Sequence, residues 1–156
     1  MAIEDLQRRV ATRVQAIVCR GGRILMAQHQ ERGMIYWCLP GGALEAGETP
    51  EAGALRELRE EACVDGRVVR QTGCSLDDQG RIVAHTFLVD IGGQEPTLGH
   101  DPEVGADAPI LVDLQWMALD EIPERDRAFL WRAGLLNVSG FLKEIEGWGD
   151  GISYPE

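Results

Sequence analysis

Residues 49–64, TPEAGALRELREEACV, constrain this chain more than any other stretch. Thr49, Pro50 and Glu51 form a helix start signal. They supply an N-cap hydroxyl, a proline whose missing N–H is no loss at the first helical position, and an acid that suits the helix dipole. The spacing predicts a helix from Pro50 to about Ala62. At about 100° per residue, with Glu57 at 0°, Glu60 falls near 300° and Glu61 near 40°. Leu58, Ala62 and Leu55 fall at about 100°, 140° and 160° on the same count. One side is therefore apolar and another carries three carboxylates. Neighbouring like charges destabilise a helix by roughly a few tenths of a kcal/mol per pair. Spacing alone leaves two readings open: a solvated acidic face, or a site for a hard divalent cation. Oxygen ligands select magnesium, manganese or calcium over zinc.

The flanks read as strands. RVQAIVCR (Arg13–Arg20) is rich in Val and Ile, and Gly21-Gly22 makes a hairpin turn into RILMAQHQ. MIYWCLP (Met34–Pro40) is a third strand, ended by Pro40-Gly41-Gly42. RVVRQTGC, RIVAHTFLVDI and PILVDLQWMAL supply three more, and a second helix is expected over Glu124 to Leu136. The tail EGWGDGISYPE reads as irregular. Strands on both sides of one helix, then a C-terminal helix, predict an α/β (α+β) fold with a mixed sheet sandwiched by helices. With 156 residues and no linker or repeat, one domain over 1–156 is expected.

Gly42, Glu48, Arg56, Glu57, Leu58, Glu60, Glu61 and Val64 sit at the spacing G-x5-E-x7-R-E-U-x-E-E-x-G-U, where U is aliphatic. This resembles the Nudix box, the signature of the Nudix hydrolase family. The box covers Gly42 to Val64, and the preceding WCLPGG also looks like the family. The resemblance implies a Nudix-type α/β/α sandwich. It implies hydrolysis of a nucleoside diphosphate linked to some other moiety, X, with Mg2+ or Mn2+ as cofactor. Carried over by position, Glu57, Glu60 and Glu61 should hold metal with the carbonyl of Gly41. Arg56 should orient a box glutamate. Glu48 should brace the loop or bind a further metal through water. Gly41 and Gly42 should let the backbone pass close to the site. The general base in this family is sometimes a box glutamate and sometimes an acid in a later loop. The loop Gly92–Pro109 offers Glu95, Asp101, Glu103 and Asp107. Glu103 is favoured, so Arg56, Glu57, Glu60 and Glu103 are the expected catalytic residues.

One position departs from the pattern: Cys63 stands where the family has glycine. Either Cys63 takes a left-handed conformation at the helix end, which is the favoured reading, or the helix runs on toward Asp65-Gly66. Proline marks ADP-ribose pyrophosphatases soon after the box, and tyrosine marks dinucleoside polyphosphate hydrolases. Residues 65–90 contain neither. That leaves a nucleoside triphosphate pyrophosphohydrolase acting on damaged nucleotides as the default. ADP-ribose or dinucleoside polyphosphate hydrolysis, and a non-catalytic nucleotide-sensing module, are the alternatives.

The remaining features narrow the partners. A net charge of −11 argues against a nucleic-acid polymer or an anionic membrane, since both reward a positive surface. A small-molecule nucleotide is the expected partner, with a homodimer left open. MAIEDLQRRV has no apolar signal stretch, so a cytoplasmic protein is expected. Cys19, Cys38, Cys63 and Cys74 form no C-x-x-C pair and read as reduced thiols. Trp37, between Ile35 and Leu39, reads as core rather than as a base platform. His29, His85 and His100 show no metal spacing, and His85 reads as a packed strand residue.

Overall fold

The computed structural model describes residues 12–100, 109–146 and 148. Its strands are β1 (Arg13–Ile17), β2 (Cys19–Arg20), β3 (Arg23–Glu31), β4 (Met34–Cys38), β5 (Gly41–Ala43), β6 (Arg67–Leu76), β7 (Ile82–Asp90) and β8 (Ile110–Met117). Its helices are α1 (Pro50–Ala62), α2 (Glu124–Arg132) and α3 (Phe141–Glu146), with 3-10 turns at Leu119–Glu121 and Leu135–Asn137. One sheet has the order β5-β1-β7-β6, and β1 runs parallel to β7 in it while the other pairs are antiparallel. A second sheet is built on β3, paired with β2, β4 and β8. The expected mixed sheet between helices is present.

The stretch read as one strand over Arg13–Arg20 is two. β1 pairs within the first sheet, and after Val18 the chain enters the second as β2. Val18 itself is buried, and its carbonyl accepts from the Leu25 N–H at 2.9 Å. Gly21 and Gly22 both have positive φ, 57° and 76°, as a two-residue hairpin turn requires.

Each sheet face has its own apolar cluster. Ala54, Leu58 and Ala62 of α1 pack with Val14, Leu25 and Phe87. On the other side Leu130 of α2 and Phe141 and Ile145 of α3 pack with Ile17, Ile24 and Met26. Trp37 is half-buried against this second cluster, as core. The outer edge of β4 is covered by α2: the Trp37 N–H donates to Asp126 Oδ2 at 3.0 Å, and Arg125 Nη2 donates to the Ile35 carbonyl at 2.9 Å. Two side chains thus satisfy the backbone groups that a further strand would otherwise take.

α2 stops at Arg132, four residues short of the expected end, because the chain turns at Gly134 with φ 83°. α3 went unread in the sequence, since six residues are too few to show a helical period. Among the described residues no helix is long and apolar enough to cross a membrane. All four cysteines are free thiols.

α1 has the expected limits. The Thr49 hydroxyl accepts from the Ala52 N–H at 3.2 Å, and Pro50 begins the helix. Cys63 closes it at φ 56°, ψ 35°, left-handed, with its N–H on the Arg59 carbonyl. A side chain in this region costs about 1–2 kcal/mol. Cys63→Gly removes that cost but raises unfolded-state entropy by about 0.4–1 kcal/mol. The expected net effect is zero or a small stabilisation, read by urea denaturation. A loss near 1 kcal/mol, the size of a glycine inside a helix, would contradict it.

Candidate functional site

The site is built where α1 crosses β1 and β5. Pro40-Gly41-Gly42 does not simply end a strand, as the sequence suggested. Gly41–Ala43 is itself a strand, paired antiparallel to β1. The absence of side chains explains its position. A Cβ on Gly41 would lie 2.3 Å from the Val14 carbonyl oxygen, and one on Gly42 would lie 2.5 Å from Glu57 Oε1. The glycine pair leaves a hollow that the Glu57 carboxylate fills.

The acidic side of α1 is not a solvated face. Glu57 is 4% exposed and Glu61 is 0% exposed, one helical turn apart. Bare carboxylates rarely reach such depth without compensating charge or hydrogen bonds. Glu61 Oε1 lies 3.8 Å from His29 Nε2 on β3. Glu60, at the rim, turns to Arg56 instead.

Arg56 is the electrostatic centre of the cluster. It donates to Glu48 through two bonds, Nε to Oε2 at 3.1 Å and Nη2 to Oε1 at 2.7 Å. Its Nη1 donates to Glu57 Oε1 at 2.8 Å and to Glu60 Oε2 at 3.2 Å. Nη2 also donates to the Ala43 carbonyl at 3.0 Å. The hydrogen bond to Glu48 is the largest of the influences that raise the guanidinium's pKa. Glu48 accepts from the Glu45 N–H at 2.8 Å as well, which fixes the loop before α1. The Arg56 hydrogen bond holds the Glu48 carboxyl below its usual range, against some desolvation.

That shift has a sign. A carboxyl depressed in the folded state adds stability above its unfolded pKa, about 4.3, and loses it as pH falls through the folded pKa. Glu48→Gln is expected to be less stable than the parent at pH 7. The gap should close on acidification below about pH 4. Urea denaturation across pH checks this, and a gap that stays constant down to acid would refute it.

The carboxylates and the Gly41 carbonyl are an all-oxygen donor set, suited to magnesium or manganese. Among the described residues no three acidic, thiol or imidazole groups already form a tight metal cluster. Two of the three carboxylates instead share the Arg56 cation. The charge and chemistry of the cluster fit a hard divalent ion, and the hollow at Gly42 brings Glu57 against the strand that carries Gly41. Glu103, the favoured base, lies outside the described residues, as do Asp101 and Asp107.

Beside Gly41 and Gly42 opens a small cleft lined by Arg13, His29, Tyr36 and Cys38. Cys38 Sγ is 3.2 Å from His29 Nδ1, and His29 stacks on Tyr36 with centroids 5.9 Å apart. Burial, with Glu61 adding, pushes the Cys38 thiol up to about 12. It is a protonated lining group, not a nucleophile. His29 has no metal spacing in the sequence. Its place follows from strand register, since Tyr36 is its cross-strand partner and Cys38 the diagonal neighbour. His85 is a half-buried strand residue stacked with Phe87.

The NUDIX domain model matches residues 8–137, and the chain belongs to the Nudix family. It is 34% identical over 110 residues to a MutT-like protein of Streptomyces ambofaciens, covering 70% of this chain and 64% of that one. It is 48% identical over 52 residues to an 8-oxo-dGTP diphosphatase of Proteus vulgaris, covering 33% of this chain and 39% of that one. The chain thus spans less than two thirds of either relative. A NUDIX hydrolase structure from Nitrosomonas europaea superposes with a TM-score of 0.58 at 22% identity, over 93% of this chain and 92% of that one. That likeness carries the fold.

Proposed function

We propose that the protein is a divalent-metal-dependent hydrolase of nucleotide pyrophosphate linkages, acting on a nucleoside diphosphate linked to X. A nucleoside triphosphate is the favoured substrate. The observation that carries this reading is the burial of Glu57 and Glu61 beside Glu60 and Arg56, against a strand of two glycines. In this reading Glu57, Glu60, Glu61 and the Gly41 carbonyl would hold Mg2+ or Mn2+. A bound ion would supply charge neutralisation for the phosphate oxygens and a lowered pKa for water. Arg56 keeps Glu57 and Glu60 aimed, and Glu48 keeps Arg56 aimed. Arg13 and Tyr36 line the adjoining cleft, and a guanidinium and an aromatic ring are groups suited to a phosphate and a base. Glu103 is the favoured acid to take the proton from water, with the box glutamates Glu57 and Glu60 as the alternatives.

The triphosphate preference is supported by the likeness to an 8-oxo-dGTP diphosphatase over 52 residues. It is also supported by the lack of Pro and Tyr in residues 65–90. A net charge of −11 disfavours polymeric nucleic acid as substrate. The test is a panel of canonical and oxidised nucleoside triphosphates, ADP-ribose and dinucleoside polyphosphates, with Mg2+ and with excess chelator. The expected products are a nucleoside monophosphate and pyrophosphate, formed only with metal. Full turnover of the best substrate in chelator would sink the metal reading. Preferred cleavage of ADP-ribose would sink the triphosphate reading alone.

A further inference from the structure

The four carbonyls at the C-terminal end of a helix lack intrahelical partners, and in α1 all four are taken. The Arg59 carbonyl accepts from Cys63, the left-handed cap. The other three are satisfied by one distant segment, the chain leaving β7. His100 N–H donates to the Glu60 carbonyl at 3.1 Å, Gly99 N–H to Glu61 at 2.8 Å, and Thr97 N–H to Ala62 at 3.0 Å. The same segment grips the residues just past the helix. The Gln94 side chain accepts from the Asp65 N–H at 3.1 Å and donates to the Asp65 carbonyl at 2.6 Å. Arg20, lying over the Trp116 ring at 4.8 Å, donates to the Gly92 and Gln94 carbonyls and pairs with Glu95. The approach at Gly99 is as close as backbone allows. A Cβ there would lie 1.9 Å from the Glu60 carbonyl oxygen.

We infer that residues 92–100 form a strap that positions the metal-holding turn of α1, with Gln94 and Gly99 as its positioning residues. The two strapped carbonyls nearest the site belong to Glu60 and Glu61, the same residues whose carboxylates serve the metal in the function proposed above, and the inference rests on that reading. A helix end whose carbonyls have no fixed donors frays, and here fraying would swing two carboxylates. Gln94 and Thr97 are exposed, so the strap's bonds are of the kind that open locally before the core does. Coupling between two sites is reciprocal. If strap docking fixes the metal-holding turn, metal binding must tighten the strap.

The experiment reads both directions on the full chain. Amide exchange of Thr97, Gly99 and His100 is followed by NMR with and without Mg2+. The Gly80 N–H, bonded to the Asp77 carbonyl in a separate turn, is the control. Mg2+ binding to the parent and to Gln94→Ala is measured by calorimetry. Mg2+ is expected to slow the three strap amides by about fivefold or more, within the usual range of coupling, and to leave Gly80 unchanged. Gln94→Ala should speed their exchange and weaken Mg2+ binding by about the same factor. Gly99→Ala should do more, but its backbone clash can prevent folding, so Gln94→Ala decides. Equal Mg2+ affinity in parent and Gln94→Ala overturns the strap and leaves the metal reading standing, as does unchanged exchange at saturating Mg2+. No Mg2+ binding by the parent overturns the metal reading, and the strap's coupling with it.

Discussion

Glu61→Gln is expected to lower turnover at limiting Mg2+ by at least about tenfold, equivalent to about 1.4 kcal/mol of barrier. The side chain is fully buried and the substitution keeps its shape. What it removes is one negative charge from an oxygen cluster suited to a hard cation. Metal-free stability should not fall with it. A buried carboxylate carries a desolvation cost that an amide largely avoids, and Glu57 sits one turn away with the same sign of charge. The thermal midpoint without metal should hold or rise. Added Mg2+ should then raise it less in the variant than in the parent, because stabilisation by a ligand follows its affinity. Glu60→Gln should show the same loss of turnover with a smaller gain in metal-free stability, since Glu60 is at the rim and shares Arg56. Parental turnover of Glu61→Gln at limiting Mg2+, in a folded protein, would falsify the assignment of Glu61 to the metal.

The helix that carries these groups was legible because its signals are local. Thr49 and Pro50 start it, and the left-handed residue at 63 ends it even though glycine is absent there. The family was legible because its box is a spacing within one helix and one loop. What the sequence concealed depends on partners far along the chain. Whether Glu57 faces water or a sheet is decided by Gly42 of β5, which lies in a strand only because β1 is beside it. His29 and Cys38 meet through a strand register, and no residue count within either strand reveals it. Glu48 was expected to brace the loop or bind a further metal through water, but the partners it uses were not legible. Its acceptance from the Glu45 N–H fixes the loop, and the two hydrogen bonds it accepts from Arg56 make it the support of the whole cluster. The strap on α1 was invisible for the same reason: its donors are backbone N–H groups in a loop, which any residue but proline supplies.

Arg56→Met is expected to cost about 2–4 kcal/mol of stability at pH 7 without metal. The magnitude follows from leaving buried charge uncompensated, about 3–5 kcal/mol when one partner of a buried pair is removed. It is reduced here because the Arg56 side chain is 18% exposed and water replaces part of its field. Methionine keeps much of the volume, so lost packing is a minor part of the change. Four carboxylates, of Glu45, Glu48, Glu57 and Glu60, lose their shared cation, and the Ala43 carbonyl loses a donor. Arg56→Lys should recover little of this. An ammonium is a point charge on a flexible stem and cannot place two bonds on Glu48 while reaching Glu57, Glu60 and Ala43. Mg2+ is the discriminating additive. If the carboxylates that Arg56 serves are also metal ligands, saturating Mg2+ should restore more stability to Arg56→Met than it adds to the parent, because the variant's repulsion is the larger to relieve. Urea denaturation of parent, Arg56→Met and Arg56→Lys, each with and without Mg2+, measures all of this. A metal-free loss below about 1 kcal/mol, the scale of an exposed ion pair, would mean that Arg56 is only a surface partner. Full recovery by lysine would mean that its charge matters and its fork geometry does not.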